Sequence, residues 1–147
     1  VPILNYTTQI EVEKTAAEVQ RVLARGRARA VMTEYGENGR PTAIAFEVVT
    51  PYGPRSFVLP VNAEKVFAVM CRQRVSPKFR TREQAERVAW RILKDWIEAQ
   101  LAIVSTEMVA LEQVMLPYMR TEDGSTVYER YEQREFGLAI EAGGGEG

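Results

Sequence analysis

"ARAVMTEYGENGRPTAIAFEVVTPYGPRSFVLPV", residues 28–61, decides the fold. Three β-rich runs, 28–35, 42–49 and 55–61, are separated by "GENGRP" and "TPYGP", both dense in turn formers. Ile44, Phe46 and Val48 alternate onto one face of the middle run, as Phe57, Leu59 and Val61 do in the third. Alternation with a period of two marks strands that bury one side, and Asn38-Gly39 is a hairpin signal. Links this short join antiparallel neighbours, so the stretch predicts a three-strand meander. Pro60 fits the end of a strand or an edge, where no ladder donor is needed.

Working outward, the periodicity changes. Before the meander, residues 2–12, "PILNYTTQIEV", read as a first strand. A short helix follows, with Thr15 and Glu18 as a capping box and Val19, Val22 and Leu23 as its apolar stripe. Gly26 stands where its C-cap is expected. After the meander, Asn62 opens a helix to about Arg72 that buries Val66, Phe67 and Met70, with Cys71 as a small core residue. Ser76-Pro77 breaks it. Thr81 and Gln84 form a second capping box, opening a long helix toward Met115 that kinks or restarts at Ser105-Thr106 and stops near Pro117. Asp123-Gly124 predicts a turn before a final short strand. The expected fold is α+β: an antiparallel sheet of three to four strands, a short N-terminal helix and a long, kinked C-terminal helix. One domain spans 1–140, and 141–147, "EAGGGEG", is a flexible glycine-rich tail.

The long helix has two apolar stripes. Ala85, Ala89, Ile92, Trp96 and Ile103 fall on one arc and read as the core face. Trp90, Ile97, Leu101 and Met108 form a neighbouring seam, for which two readings stand: packing within the chain, or an oligomer interface with a second copy. The remaining face carries Arg87, Arg91, Lys94 and Glu98, and the spacing predicts the pairs Glu83–Arg87, Arg91–Asp95 and Lys94–Glu98.

Charge is the strongest functional signal. The 147 residues carry a net charge of only −1, with fifteen Arg and four Lys. Residues 14–94 hold sixteen of those cations against seven acids, whereas 95–147 hold three against eleven. A basic body with an acidic C-terminal part suits a polyanion partner, or two segments that attract each other. Between Glu64 and Glu83 lie Arg72, Arg74, Lys78, Arg80 and Arg82, with Phe79 among them and no acid. Arg25, Arg27 and Arg29 make a second cluster. Cations neutralise phosphates, and exposed rings such as Phe79 or Tyr52 stack on unpaired bases.

Other chemistry is poorly supplied. The chain has no His and one Cys, Cys71, which removes His-based nucleophile systems, His ligands and Cys-cluster zinc sites. Neither glycine-rich nucleotide-binding pattern occurs. No enzyme, cofactor or metal is expected. No apolar run is long enough to span a membrane, "VPILNYTTQIEVEK" has no secretion-signal pattern, and a lone cysteine fits a reducing, cytoplasmic setting.

"TREQAERVAWRILKDWIEAQLA" (81–102), "MVALEQVMLPYM" (108–119), "DGSTVYE" (123–129) and "AIAFEVVTPYGPRSFVLPV" (43–61) together resemble a group of small bacteriophage and mobile-element proteins with no assigned activity. The chain departs from that group at Ser105-Thr106-Glu107, where a glycine-containing break is expected. The resemblance implies a bacterial cytoplasm and a phage replication or recombination setting. It carries over no functional residue. The combined expectation is a non-enzymatic DNA-binding accessory protein, favouring single strands and oligomeric, with its acidic segment restraining non-specific binding or engaging a protein partner. The alternative is an assembly module using the Trp90–Met108 seam.

Overall fold

The computed structural model describes residues 1–133. Strands β1 (Ala30–Tyr35), β2 (Pro41–Thr50) and β3 (Gly53–Pro60) form one antiparallel sheet in chain order. The β2–β3 register pairs Ile44 with Leu59 and Phe46 with Phe57. It stacks the two Phe rings with centroids 5.1 Å apart. Cross-strand aromatic pairs of this kind hold register, because a one-residue slip would turn the whole apolar set to solvent. Gly39 and Gly53 take positive φ, 77° and 104°, at the two turns.

Helices α1 (Val12–Arg25) and α3 (Arg82–Ser105) cover one face of the sheet. Val12, Ala16, Val19 and Leu23 of α1 meet Ile44, Phe46, Val48, Phe57 and Leu59 from the sheet and Trp90 and Ile97 from α3. Helix α2 (Ala63–Arg72) packs on the other flank of α3, with Met70, Val75 and Ala85 in a second core cluster. Asn62 caps α2 as expected, its Oδ1 accepting from the Lys65 N–H at 3.1 Å. Short helices α4 (Leu111–Met115) and α5 (Val127–Glu132) complete the described residues.

The α+β architecture matches the expectation, and five local readings need correction. Residues 2–12 form no strand: the segment is an irregular strap, and buried Gln84 donates to its Tyr6 and Thr8 carbonyls at 2.9 and 2.8 Å. Those bonds replace a sheet ladder. They also take Gln84 out of its capping box, of which only the Thr81 half forms. Helix α1 starts at Val12, so Thr15 lies inside it, fully buried. The break expected at Ser105-Thr106 is present: α3 ends there because Ser105 and Thr106 turn their hydroxyls back onto the Ala102 and Ile103 carbonyls, and Glu107 enters the left-handed region at φ 65°. The final strand reduces to single bridges, Phe57–Met119 and Arg120–Thr126, before α5. Cys71 is exposed: Met70 takes the inward position beside it. The predicted tail, 141–147, lies outside the described residues.

Both stripes of α3 contribute to the core: Ala85 and Ala89 are buried as expected, and the second stripe goes deeper than its reading as a seam allows. Trp90 and Ile97, assigned to a seam between copies, are 1% and 0% exposed within this chain and face the sheet. They are core residues and no oligomer interface. Leu101 is half-buried against α1, where a Cβ on Gly26 would lie 2.8 Å from its Cδ1. Only Met108 of that set is exposed. Ile92 and Trp96, read as core face, instead border a groove of about 320 Å³ shared with Val66 and Tyr118.

Candidate nucleic-acid interface

The segment after α2 is a rigid basic loop. Helix α2 closes with the Val75 N–H on the Met70 carbonyl at 3.2 Å and the Arg74 N–H on the Cys71 carbonyl at 3.1 Å. That pair of bonds is a Schellman cap, and Arg74, at φ 53°, occupies the left-handed position usually given to glycine. Val75 returns into the core against Met70. Arg80 then clips the loop, donating from Nε and Nη2 to the Val75 carbonyl at 3.2 and 3.0 Å.

This architecture divides the predicted cations. Arg80 is spent on the loop itself. Arg82 pairs with Glu64 at 2.9 Å and lies over the Phe67 ring, 4.7 Å from its centroid. The Glu64 hydrogen bond, and then its charge, raise the Arg82 pKa above the ordinary arginine value. The supposed absence of a partner for Arg80 and Arg82 is therefore corrected: one holds a carbonyl, the other an acid eighteen residues back. Arg72, Arg74 and Lys78 remain exposed and make no ion pair among the described residues. The helix macrodipole places only about half a negative charge at the end of α2. It balances a fraction of three cations.

Phe79 is not a free stacking platform. Its ring is half-buried, meets Tyr6 edge-to-face at 5.7 Å and lies 4.9 Å from the Lys78 ammonium. Tyr52, the other predicted stacking ring, is 81% exposed at the β2–β3 turn.

The second cluster is remote. Arg29 pairs with Glu47 at 2.5 Å, whereas Arg25 and Arg27 are exposed with no acid partner among the described residues. Arg27 repeats the geometry of Arg74: the Ala28 N–H reaches the Leu23 carbonyl at 3.0 Å, the Arg27 N–H reaches Ala24 at 3.3 Å, and φ is 79°. This cluster adjoins Leu101, while the loop adjoins Ala85. Sixteen residues of helix separate those contacts, about 24 Å at 1.5 Å per residue. Beside Arg25 and Arg27, a groove of about 560 Å³ runs over Val48, Val49, Leu101 and Val104, with Glu107 and Glu112 on its other wall.

Two of the three predicted ion pairs along α3 are replaced by pairs between elements. Arg91 reaches Glu18 of α1 at 2.6 Å and Arg87 reaches Glu11 at 3.5 Å, while Asp95 accepts from Asn5. Only Lys94–Glu98 forms as spaced. Sequence spacing sees neighbours on one helix and cannot see an acid on the next. The pairing of Glu11 and Glu18 with α3 is what the linear reading missed, together with the exposed Lys14 and Arg21 of α1.

Comparison with family models, curated proteins and solved structures yields no match. No described helix is long and apolar enough to cross a membrane.

Proposed function

We propose that the protein is a non-enzymatic accessory factor that binds nucleic acid, DNA single strands in particular, through the loop that follows α2. One observation carries this reading: Arg72, Arg74 and Lys78 are exposed, lack an acid partner among the described residues, and sit on a loop fixed by a Schellman cap and the Arg80 clip. Cations on a rigid frame lose little entropy on meeting phosphates, and each contact releases a condensed counterion. A preference for single strands draws on Tyr52, whose uncovered ring suits an unstacked base. The acidic residues after Lys94 would restrain non-specific binding, or recruit a protein partner, in a bacterial cytoplasm where phage-type replication or recombination takes place.

The deciding measurement is anisotropy of labelled single- and double-stranded DNA across a salt series. The reading requires log K to fall linearly with log salt, and to fall from a higher value on the single strand. No binding at about 50 mM salt, where phosphate contacts are strong, would refute it.

A second reading, an assembly module, is favoured by a different observation. Val49, Ile103 and Met108 are exposed apolar residues close in chain to the lining of the 560 Å³ groove. Homo-oligomerisation would then use that region in place of the Trp90–Ile97 stripe. Solution mass over a concentration series decides it, since a strict monomer excludes self-association.

A further inference from the structure

Acids at the start and middle of α1 are engaged by other elements, although Glu13 is itself exposed. Glu11 and Glu18 pair with Arg87 and Arg91, and the charge of Glu13 acts on Arg40. Lys14, Arg21 and Arg25 lie along the outer side of the helix, seven and four residues apart, with Glu18 next to them but held by Arg91. At 100° per residue those three fall within an arc of about 40°, opposite the buried stripe of Val12, Ala16, Val19 and Leu23. All three are exposed and make no ion pair among the described residues. Arg25 touches only the Arg21 carbonyl, at 3.4 Å. Like charges four residues apart cost a helix a few tenths of a kcal/mol, so the row opposes rather than supports folding. Arg27 adds a fourth cation just beyond the helix end.

Along the axis of α3, the row spans the levels between the two basic clusters. Helices α1 and α3 run parallel, as the Glu11–Arg87 pair at their starts and the Gly26–Leu101 contact near their ends require. The basic loop sits at the starting end, through Val75 and Ala85. Lys14 therefore lies toward the loop end of α3, Arg25 and Arg27 lie at the far end, and Arg21 lies between.

We infer that the outer face of α1, formed by Lys14, Arg21, Arg25 and Arg27, is a second nucleic-acid phosphate track, distinct from the loop. This inference rests on the nucleic-acid reading above and extends the footprint along α3. The composition of the face selects the partner. Its other exposed residues are Glu13, Ala17, Gln20 and Ala24, so it has no large apolar side chain to insert into a membrane. Nor does it offer the aromatic anchors on which protein partners dock. A sugar–phosphate backbone needs cations alone.

The test compares two triple variants on labelled single-stranded oligothymidine between about 50 and 200 mM salt. Lys14→Gln, Arg21→Gln and Arg25→Gln neutralise the helix face; Arg72→Gln, Arg74→Gln and Lys78→Gln neutralise the loop. Each contact contributes about 0.7 to the slope of log K against log salt on single strands, so each triple should lower the slope by about 2. Ala17→Arg, on the same face, should raise it by about 0.7. An unchanged slope in both the helix triple and Ala17→Arg, with the slope lowered in the loop triple, overturns the second track and leaves the loop reading standing. Absence of binding by the unaltered protein overturns the loop reading and this inference together. Co-sedimentation with phosphatidylserine vesicles that the helix triple abolishes, with its DNA slope unchanged, assigns the face to a membrane surface and also overturns the inference.

Discussion

Arg74→Gly should weaken nucleic-acid binding with a net stability change within about 1 kcal/mol of zero, and it should be more stable than Arg74→Ala, as follows from the Schellman cap. Arg74 stands at φ 53° with its cap bonds formed, so its Cβ lies in a conformation that L-residues avoid. Left-handed backbone costs a non-glycine residue about 1–2 kcal/mol. Glycine removes that cost but loses about 0.5–1 kcal/mol through the greater entropy of its unfolded chain. Removing the guanidinium also forfeits about 0.3–1 kcal/mol of attraction to the α2 C-terminus. Arg74→Ala shares the last loss and keeps the strain. The difference between the two variants therefore isolates the backbone term, and Gly should exceed Ala by about 0.5–1 kcal/mol. In a helix interior the order would be reversed, with Ala the more stable.

For a chain of this size the difference corresponds to about 2–4 °C in Tm per kcal/mol. Thermal and urea unfolding of both variants, at low salt and at 1 M salt where the dipole term is screened, measures it. Arg27→Gly and Arg27→Ala repeat the experiment at the end of α1, where φ is 79°. If Ala matches or exceeds Gly at both sites, the strain argument is wrong. The binding assay moves independently: either substitution at Arg74 should lower the salt slope by about 0.7. A stability gain accompanied by a binding loss would mean that the arginine is held in a strained position that folding alone does not favour.

Three further outcomes follow from the described geometry. Ile97→Ala should cost about 2–5 kcal/mol of stability, as a fully buried core residue, and leave the solution mass unchanged; a change in assembly state with little loss of stability would restore the seam between copies. Arg80→Ala should cost about 1–2 kcal/mol and speed amide exchange at Val75 and Phe79, because the clip on the Val75 carbonyl is lost; unaltered exchange would show that the loop holds itself. Asp123 accepts from the Ser125 hydroxyl and amide and the Thr121 hydroxyl, which lower its pKa from 3.8 to about 2. The lowered value means its contribution is complete above the ordinary carboxylate pKa and is lost as pH falls toward 2. Its carboxyl carbon shift should titrate near 2, and a midpoint near 3.8 would contradict the turn geometry.

The sheet was legible because its information is local. Ile44, Phe46 and Val48 declare their face by alternation, and Asn38-Gly39 declares the turn, with no reference to distant residues. The strap before α1 has similar composition but no strand beside it, and its backbone is met by Gln84, seventy-six residues away from Thr8. Nothing local records that meeting. Depth of burial was legible only in part, for a related reason: Ala85 and Ala89 are buried as read, but how deep Trp90 and Ile97 lie beside Ile92 and Trp96 depends on where the sheet and α2 land. Charge carried the same ambiguity. Spacing along α3 assigned Arg91 to Asp95, whereas the fold gives it to Glu18 across the helix interface. The consequence reaches α1. With Glu11 and Glu18 paired to α3, Lys14, Arg21 and Arg25 are left as a row whose seven- and four-residue spacing was present in the sequence from the start. A helix that pairs Glu11 and Glu18 with α3 and leaves Lys14, Arg21 and Arg25 to solvent has largely separated its paired acids from its unpaired cations. Packing accounts for the paired acids, and a polyanion partner, as proposed, would account for the unpaired cations.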